Sequence, residues 1–569
     1  MGSASLRKRE MKKRLNPKGG QPAAARLGAA GAEAVAPGPS HSPSVEQFDA
    51  LLARHRPFAD SDYLHEQLHL RYQQRLATIS ERLPAAGALA SALEGATDHR
   101  RLRTIGDPVV RHAIHEALRQ VWNEAQPGAQ HGPSAAGALP LPECAEVLRE
   151  AAAHLGRADR TGGPLESGGP PLRRLGTERW HGSVWTEEHR DDVFGRCFRR
   201  IVRDNFRGEP LCAPSPADVA MLAKGAELLG ALLPLCARSV LGHTHLAVVV
   251  PHVGAWSRKG SCSEFRISGT IFLNRQMLGN PWWVAEHLLH ESLHQKLYDF
   301  RHTHSLLAED LTPDAPPAEQ GVAVHAIWNL GGAGGDGSAG WDTFRTIAAF
   351  HVYVHLAVLG VQIERRKAAL VKRFGASPDG CLPALTHRRE ALERAHYLGR
   401  RLREVCWPEM GPAGRLLVSW LGSVLNALDP GPPPPDSRYL HLVLNRYMLE
   451  GSRFAEHEPL ELAVSAALGE RVADEGETVS RVMLTMRADD PEVEELALAM
   501  ARRPDEGGGA AFLRFRGTVA RLLHARSPDG YGLRTGSPAV ASAPLDHQIR
   551  AMVDDSSRRL EPLLATLTG

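Results

Sequence analysis

The chain has 569 residues and a formal net charge of +2, a length that as a prior calls for several domains or subdomains. Apolar residues make up 43% and charged residues 23%, an ordinary soluble globular balance, and so small a net charge argues against nucleic acid or an acidic partner. The seven cysteines (Cys144, Cys197, Cys212, Cys236, Cys262, Cys381 and Cys406) form no Cys-x-x-Cys pair and are odd in number. That argues against a zinc ribbon or a disulfide framework and points to a reducing cytoplasm.

The first fourteen residues are basic, but no apolar run follows them, so a solvated basic arm is expected and not a secretory signal. Residues 15–43 are rich in Pro, Gly and Ala without periodicity, and order is expected to begin at Ser44. Ser44-Val-Glu-Gln47 has the form of a capping box ahead of Phe48, Leu51 and Leu52. Asp107-Pro108 opens a second helix with Val110, Ile114, Ala117, Leu118 and Val121 along one face, and Ser215-Pro216 opens another. Segments 126–142 and 161–172 read as loops. The most apolar stretch, Leu228 to Val240, is too short for a membrane span and is expected to be a core helix.

Near Leu246 the texture changes. Leu246–Val250 and Phe265–Leu273 read as strands, the second as an edge strand leading into the next helix. Asn280-Pro281 caps that helix, which carries His290-Glu291-Ser292-Leu293-His294 among apolar residues. Positions i and i+4 share a helix face, so His290 and His294 are expected to present nitrogens to one metal ion. In a zinc hydrolase the intervening glutamate, here Glu291, takes a proton from metal-bound water. His287 lies one turn earlier on that face and is expected beside the site or on the surface, not as a ligand.

A third ligand is required. The metzincin extension fails, because Leu297 and Phe300 stand where its Gly and third His belong. Glu309, Asp310, Asp314 and Glu319 lie close in sequence but in a proline-rich loop without a helical ligand pattern. The apolar segment Phe344 to Leu359 carries His351 and His355 one turn apart; His351 is the first choice and His355 the second. Arg345 is a candidate partner for a substrate or co-substrate carboxylate, or for Asp342. After about residue 376 the chain reads as helical again, through 405, 414–427, 457–471 and 508–525, interrupted by the proline-rich 429–436.

The run Ser268–Asn274, then His287 to Leu297, Ile327-Trp-Asn329, and Trp341 through Leu356 resembles the bacterial HExxH-motif peptide-modification proteins. The resemblance covers about residues 240 to 360. It implies an Fe(II)- and 2-oxoglutarate-dependent β-hydroxylase of peptide side chains, with His290, His294 and His351 holding iron and Arg345 clamping 2-oxoglutarate. Glu291 would then be a ligand or a substrate-positioning group. A Zn(II) peptidase with Glu291 as general base, and a non-catalytic helical scaffold with a degenerate motif, remain as alternatives.

The expected architecture is mainly α with a small β-sheet next to the metal-binding helix, a zincin-like core flanked by helical regions. The expected divisions are an arm at 1–43, a helical region at 44–240, a metal-binding core at 241–375 and a helical region at 376–569. The expected partner is a peptide, without membrane or nucleic acid.

Overall fold

The computed structural model describes residues 44–124, 138–157, 163–166, 173–174, 182–186, 191–206, 208–311, 322–324, 340–376, 388–429, 440–457, 459–486, 509–526 and 543–568. The basic arm, Ile327–Asn329, Asp314, Glu319 and nearly all of the proline-rich 429–436 segment lie outside the described residues. The chain divides into two compact units, one of Met1–Leu306 with Val358–Leu385, the other of Leu307–Ala357 with Thr386–Gly569.

The first unit carries α1 (Val45–Arg54), α2 (Ser61–Ser80), α3 (Pro84–Glu94), α4 (Asp98–Ile105), α5 (Pro108–Glu124), α6 (Leu141–Gly156), α7 (Val193–Asn205), α8 (Pro216–Leu232), α9 (Pro234–Leu241) and α10 (Pro281–Thr303). The caps read from sequence are in place, because each is a local exchange between a short polar side chain and free amides. Ser44 and Ser215 each form reciprocal capping boxes. The Asp107 carboxylate accepts from the amides of Val109 at 2.9 Å and Val110 at 3.2 Å. The stretch expected as one core helix, Leu228 to Val240, is instead two. The chain turns at Leu233, because Pro234 can start a helix but cannot continue one.

Five strands form one mixed sheet in the order β1 (Arg173–Arg174), β2 (Ser183–Val184), β3 (Leu246–Val250), β5 (Thr270–Asn274), β4 (Ser261–Ser263). β3 and β5 are parallel, with Leu246 opposite Thr270, and β4 runs antiparallel to β5, with Cys262 opposite Phe272. Both β3 and β5 are buried along their whole length, which explains why they read as continuous apolar runs. The architecture is therefore mainly α with a small sheet beside the motif helix.

Two sequence expectations are corrected here. The strand placed at Phe265–Leu273 begins only at Thr270; Phe265–Ile267 is a 3-10 turn, and Gly269 bends the chain with φ +94°. A Cβ at Gly269 would lie 2.5 Å from the Gly106 carbonyl oxygen, so the position is closed to larger residues on two counts. Nor is this strand an edge. It lies between β3 and β4, and the edge is β4, whose Ser-Cys-Ser sequence has none of the bulky β-forming residues.

The core of this unit joins α2, α3, α5, α6 and α7 to the sheet through residues such as Tyr72, Leu89, Ile114, Leu148, Phe198 and Phe272. α8 packs on α10, and Gly225 sets their separation: a Cβ there would fall 2.3 Å from Val284 Cγ1.

The second unit contains the first half of α11 (Thr343–Phe374), then α12 (Arg388–Arg401), α13 (Pro412–Leu428), α14 (Leu440–Glu456), α15 (Leu462–Met486), α16 (Gly509–Arg526) and α17 (Ala543–Thr568). α11 is long and apolar enough to cross a membrane, and 89% of its apolar window is buried in the protein. Helices α14 to α17 pack together around Phe454, Val464, Leu468, Phe512 and Leu560. Among them the buried Arg516 pairs with Glu475 at 2.8 Å and Glu450 at 3.3 Å, its guanidinium 3.9 Å from the Tyr447 ring centre.

Candidate metal centre on the motif helix

Asn280 opens α10: its side chain accepts from the Trp282 amide at 3.0 Å, and Pro281 fills the first position. From Pro281 to Phe300 every residue is buried except His287, His290 and His294. The three share one face over two turns, so the helix presents a line of half-buried imidazoles in an otherwise buried surface.

The ring centres of His290 and His294 are 5.0 Å apart in an edge-to-face arrangement. Burial lowers the pKa of His290, which keeps the imidazole neutral with a lone pair to offer, the form a metal needs. His287 has other duties. Its Nδ1 donates to the Trp283 carbonyl at 3.0 Å, and its ring stacks on Trp283 with centres 3.9 Å apart. Burial lowers its pKa to about 3. It packs on Trp283 one turn before the pair.

Glu291 is 2% exposed. Ser261 Oγ donates to its Oε1 at 2.6 Å, while Oε2 is buried without a hydrogen-bond partner among the described residues. A buried carboxylate oxygen left without a donor is costly unless something cationic or protic completes it. Two imidazoles one turn apart on one helix face are donors of the type that Zn(II) or Fe(II) accepts, and it is this pair that fits a metal; with Glu291 they do not bring three ligand atoms within 4.8 Å of one another. Ser261, missed by the sequence reading, belongs to β4. The strand thus fixes the glutamate from outside the helix. Further along α10, the Tyr298 hydroxyl lies 3.5 Å from Ser263 Oγ of the same strand, and burial raises its pKa.

The remaining sequence candidates belong to the second unit. His351 and His355 are both buried on α11, with ring centres 4.6 Å apart. His355 Nδ1 donates to the His351 carbonyl at 2.8 Å. They form a second i, i+4 pair. Arg345 is exposed near the start of the same helix, its guanidinium 5.0 Å from the Trp341 ring centre, and the Asp342 carboxylate accepts from the Arg345 amide rather than pairing with that guanidinium. Asp310 caps a local turn, accepting from the Leu307 amide at 2.8 Å.

Among the described residues one group of three brings its ligand atoms within 4.8 Å of one another: His65, His243 and Asp299. Nothing in sequence spacing joins positions 65, 243 and 299. Asp299 accepts from Arg111 at 2.6 Å and from His243 Nδ1 at 2.7 Å. A guanidinium already supplies the positive charge a metal would bring, so this is a buried ion-pair cluster and a poor metal site. No protein-family model matches the chain, and no curated protein matches it.

Proposed function

We propose that this protein is a metal-dependent peptide-modifying enzyme centred on His290 and His294. The observation that carries the proposal is the histidine stripe of α10, where the rings of His290 and His294 have centres 5.0 Å apart and the intervening Glu291 is buried with one oxygen unsatisfied among the described residues. The finer reading rests on the resemblance to HExxH-motif peptide-modification proteins: Fe(II)- and 2-oxoglutarate-dependent β-hydroxylation of a peptide side chain. Its stoichiometry is peptide C–H plus O₂ plus 2-oxoglutarate giving peptide C–OH, succinate and CO₂. Bound iron would supply the oxidising chemistry. His290 and His294 would hold it with His351 as third ligand, and Arg345 would bind a 2-oxoglutarate carboxylate.

A second reading, a zinc peptidase, is favoured by two observations. Glu291 has a buried carboxylate oxygen, Oε2, without a hydrogen-bond partner among the described residues, and a general base needs such an oxygen. The outer edge of β4 pairs with no other strand among the described residues, so an extended peptide can add to it.

One experiment separates the readings. Protein purified anaerobically and reconstituted with Fe(II) is assayed for succinate from 2-oxoglutarate, with His290→Ala as control. Succinate that depends on Fe(II) and on His290 establishes the oxygenase. Tightly bound Zn(II), no succinate, and peptide hydrolysis lost in Glu291→Gln establish the peptidase.

A further inference from the structure

Ser61, His243 and Asp299 are brought together from three distant segments of the first unit. His243 Nδ1 lies 2.7 Å from Asp299 Oδ2, and His243 Nε2 lies 2.9 Å from Ser61 Oγ. Both His243 and Asp299 are buried to within 1%. Since Nδ1 donates to the carboxylate, Nε2 carries the lone pair, and the short contact with Ser61 requires the serine hydroxyl to donate. Ser61 Oγ also lies 2.8 Å from Ser239 Oγ, which accepts from Lys296 Nζ at 2.6 Å. The Ser239 carbonyl oxygen, 2.9 Å from Ser61 Oγ, is the competing acceptor. Rotation of one hydroxyl therefore switches Ser61 between an idle and a primed state.

Ser61 lines a cavity of about 840 Å³, together with His65 and His245. His65 follows Ser61 by one helical turn on α2. The Nε2 atoms of His65 and His245 are buried with no hydrogen-bond partner among the described residues, and burial keeps both imidazoles neutral. A neutral imidazole N–H aimed at developing negative charge is a recognised electrophile. Arg54, Arg103 and Arg238 also line the cavity.

We propose that Ser61, His243 and Asp299 form a second catalytic site, a serine acyl-transfer centre acting on small esters that enter this cavity. Ser61 Oγ bonds to the ester carbonyl carbon as its proton passes to His243 Nε2. The carbon–alkoxy bond breaks, and the alcohol leaves with that proton. Water then repeats the sequence, its proton passing to His243 and on to Ser61 as the acid is released. Asp299 holds the His243 tautomer throughout. The site lies on the face of α10 opposite the histidine stripe and does not depend on the metal reading.

The test uses the full chain, an alkyl fluorophosphonate and p-nitrophenyl acetate. One phosphonyl adduct on the wild-type protein, mapped by mass spectrometry to Ser61 and insensitive to metal chelation, is the expected result. Ser61→Ala should abolish both the adduct and the esterase activity. His243→Gln should slow labelling by at least about 100-fold. Mapping on the wild type keeps the test decisive even where a variant fails to fold. The proposal is overturned by no adduct on folded protein, by an adduct on Ser239 or elsewhere, or by labelling that chelation abolishes.

Discussion

Asp299 sits five residues beyond His294 on α10, and Arg111 of α5 holds it from the opposite side of the helix to the histidines. Replacing Arg111 by Met tests how strongly this tie supports the site. The pair is buried on both sides, 2% and 1% exposed, with a 2.6 Å contact. Burial pushes the Asp299 carboxyl up, but the Arg111 charge and the His243 hydrogen bond outweigh it and hold its pKa well below the usual carboxylate range. Removing one partner of a buried pair leaves the other as an uncompensated charge, at a cost of about 3–5 kcal/mol. That corresponds to a rise of about 100- to 4000-fold in the opening constant of α10.

Native-state hydrogen exchange on peptides covering residues 290–303 reads this directly, and the two units need not unfold together for the reading to hold. The sign with pH follows. A carboxylate with depressed native pKa contributes stability above its unfolded pKa of about 3.9, lost as pH falls below it. Wild type should therefore lose stability steeply between about pH 5 and pH 2, and Arg111→Met should lose less. An exchange free energy within about 0.5 kcal/mol of wild type, or an unchanged acid limb, would refute the reasoning.

Other outcomes follow from the same contacts. His290→Ala and His294→Ala should lose bound metal in elemental analysis, while His287→Ala, outside the expected ligand set, should retain it. Ser261→Ala removes a charge-assisted bond to buried Glu291 and should lower stability by about 1.5–3 kcal/mol in denaturant titration; Ser261→Ala with Glu291→Leu together should cost less than their sum. Gly225→Ala drives a methyl into Val284 and should lower stability by about 1–3 kcal/mol, with Val284→Ala partly restoring it. Arg516→Met should destabilise α14 to α17 by about 3–5 kcal/mol, read by exchange in residues 440–456, and leave metal binding unchanged.

What was legible in the sequence was local. The caps at Ser44, Asp107, Ser215 and Asn280 are exchanges within three residues, and β3 announces itself by five consecutive apolar residues. β4 was not legible, since Ser261-Cys262-Ser263 has no strand character apart from the partner it meets. The limits of β5 depended on Gly269, which has a positive φ and also lies against the carbonyl of Gly106, 163 positions earlier. The histidine pair of the motif was legible because helical spacing alone puts it on one face. Ser261, which orients Glu291, was not, and neither was the Ser61–His243–Asp299 cluster, since both arise from contacts across long stretches of chain.

The two faces of α10 divide between a half-buried histidine stripe and a buried polar face that ties the helix to the sheet. One face offers His287, His290 and His294. On the other, Ser292 Oγ meets Thr244 Oγ1 at 2.8 Å, and Gln295 accepts from the Gly269 amide at 2.6 Å while donating to the Thr270 carbonyl at 2.8 Å. Asp299 and Lys296 continue that face with the contacts to Arg111, His243 and Ser239. Gln295 thus binds the backbone that opens β5 and fixes the helix in register with the sheet. β4 is paired to β5 in the same sheet and carries the serine that orients Glu291. Ligand geometry at a metal is sensitive to shifts of about half an ångström, so the buried polar face is what keeps His290, His294 and Glu291 in fixed relation. A substitution at Gln295 should accordingly disturb metal affinity without touching a ligand. Gln295→Leu, of similar volume but unable to bond the strand, should weaken metal binding about 10- to 100-fold, the range found when groups that orient ligands are removed. Titration with a competing chelator measures it, and unchanged affinity in a folded variant would show that the sheet does not position the site.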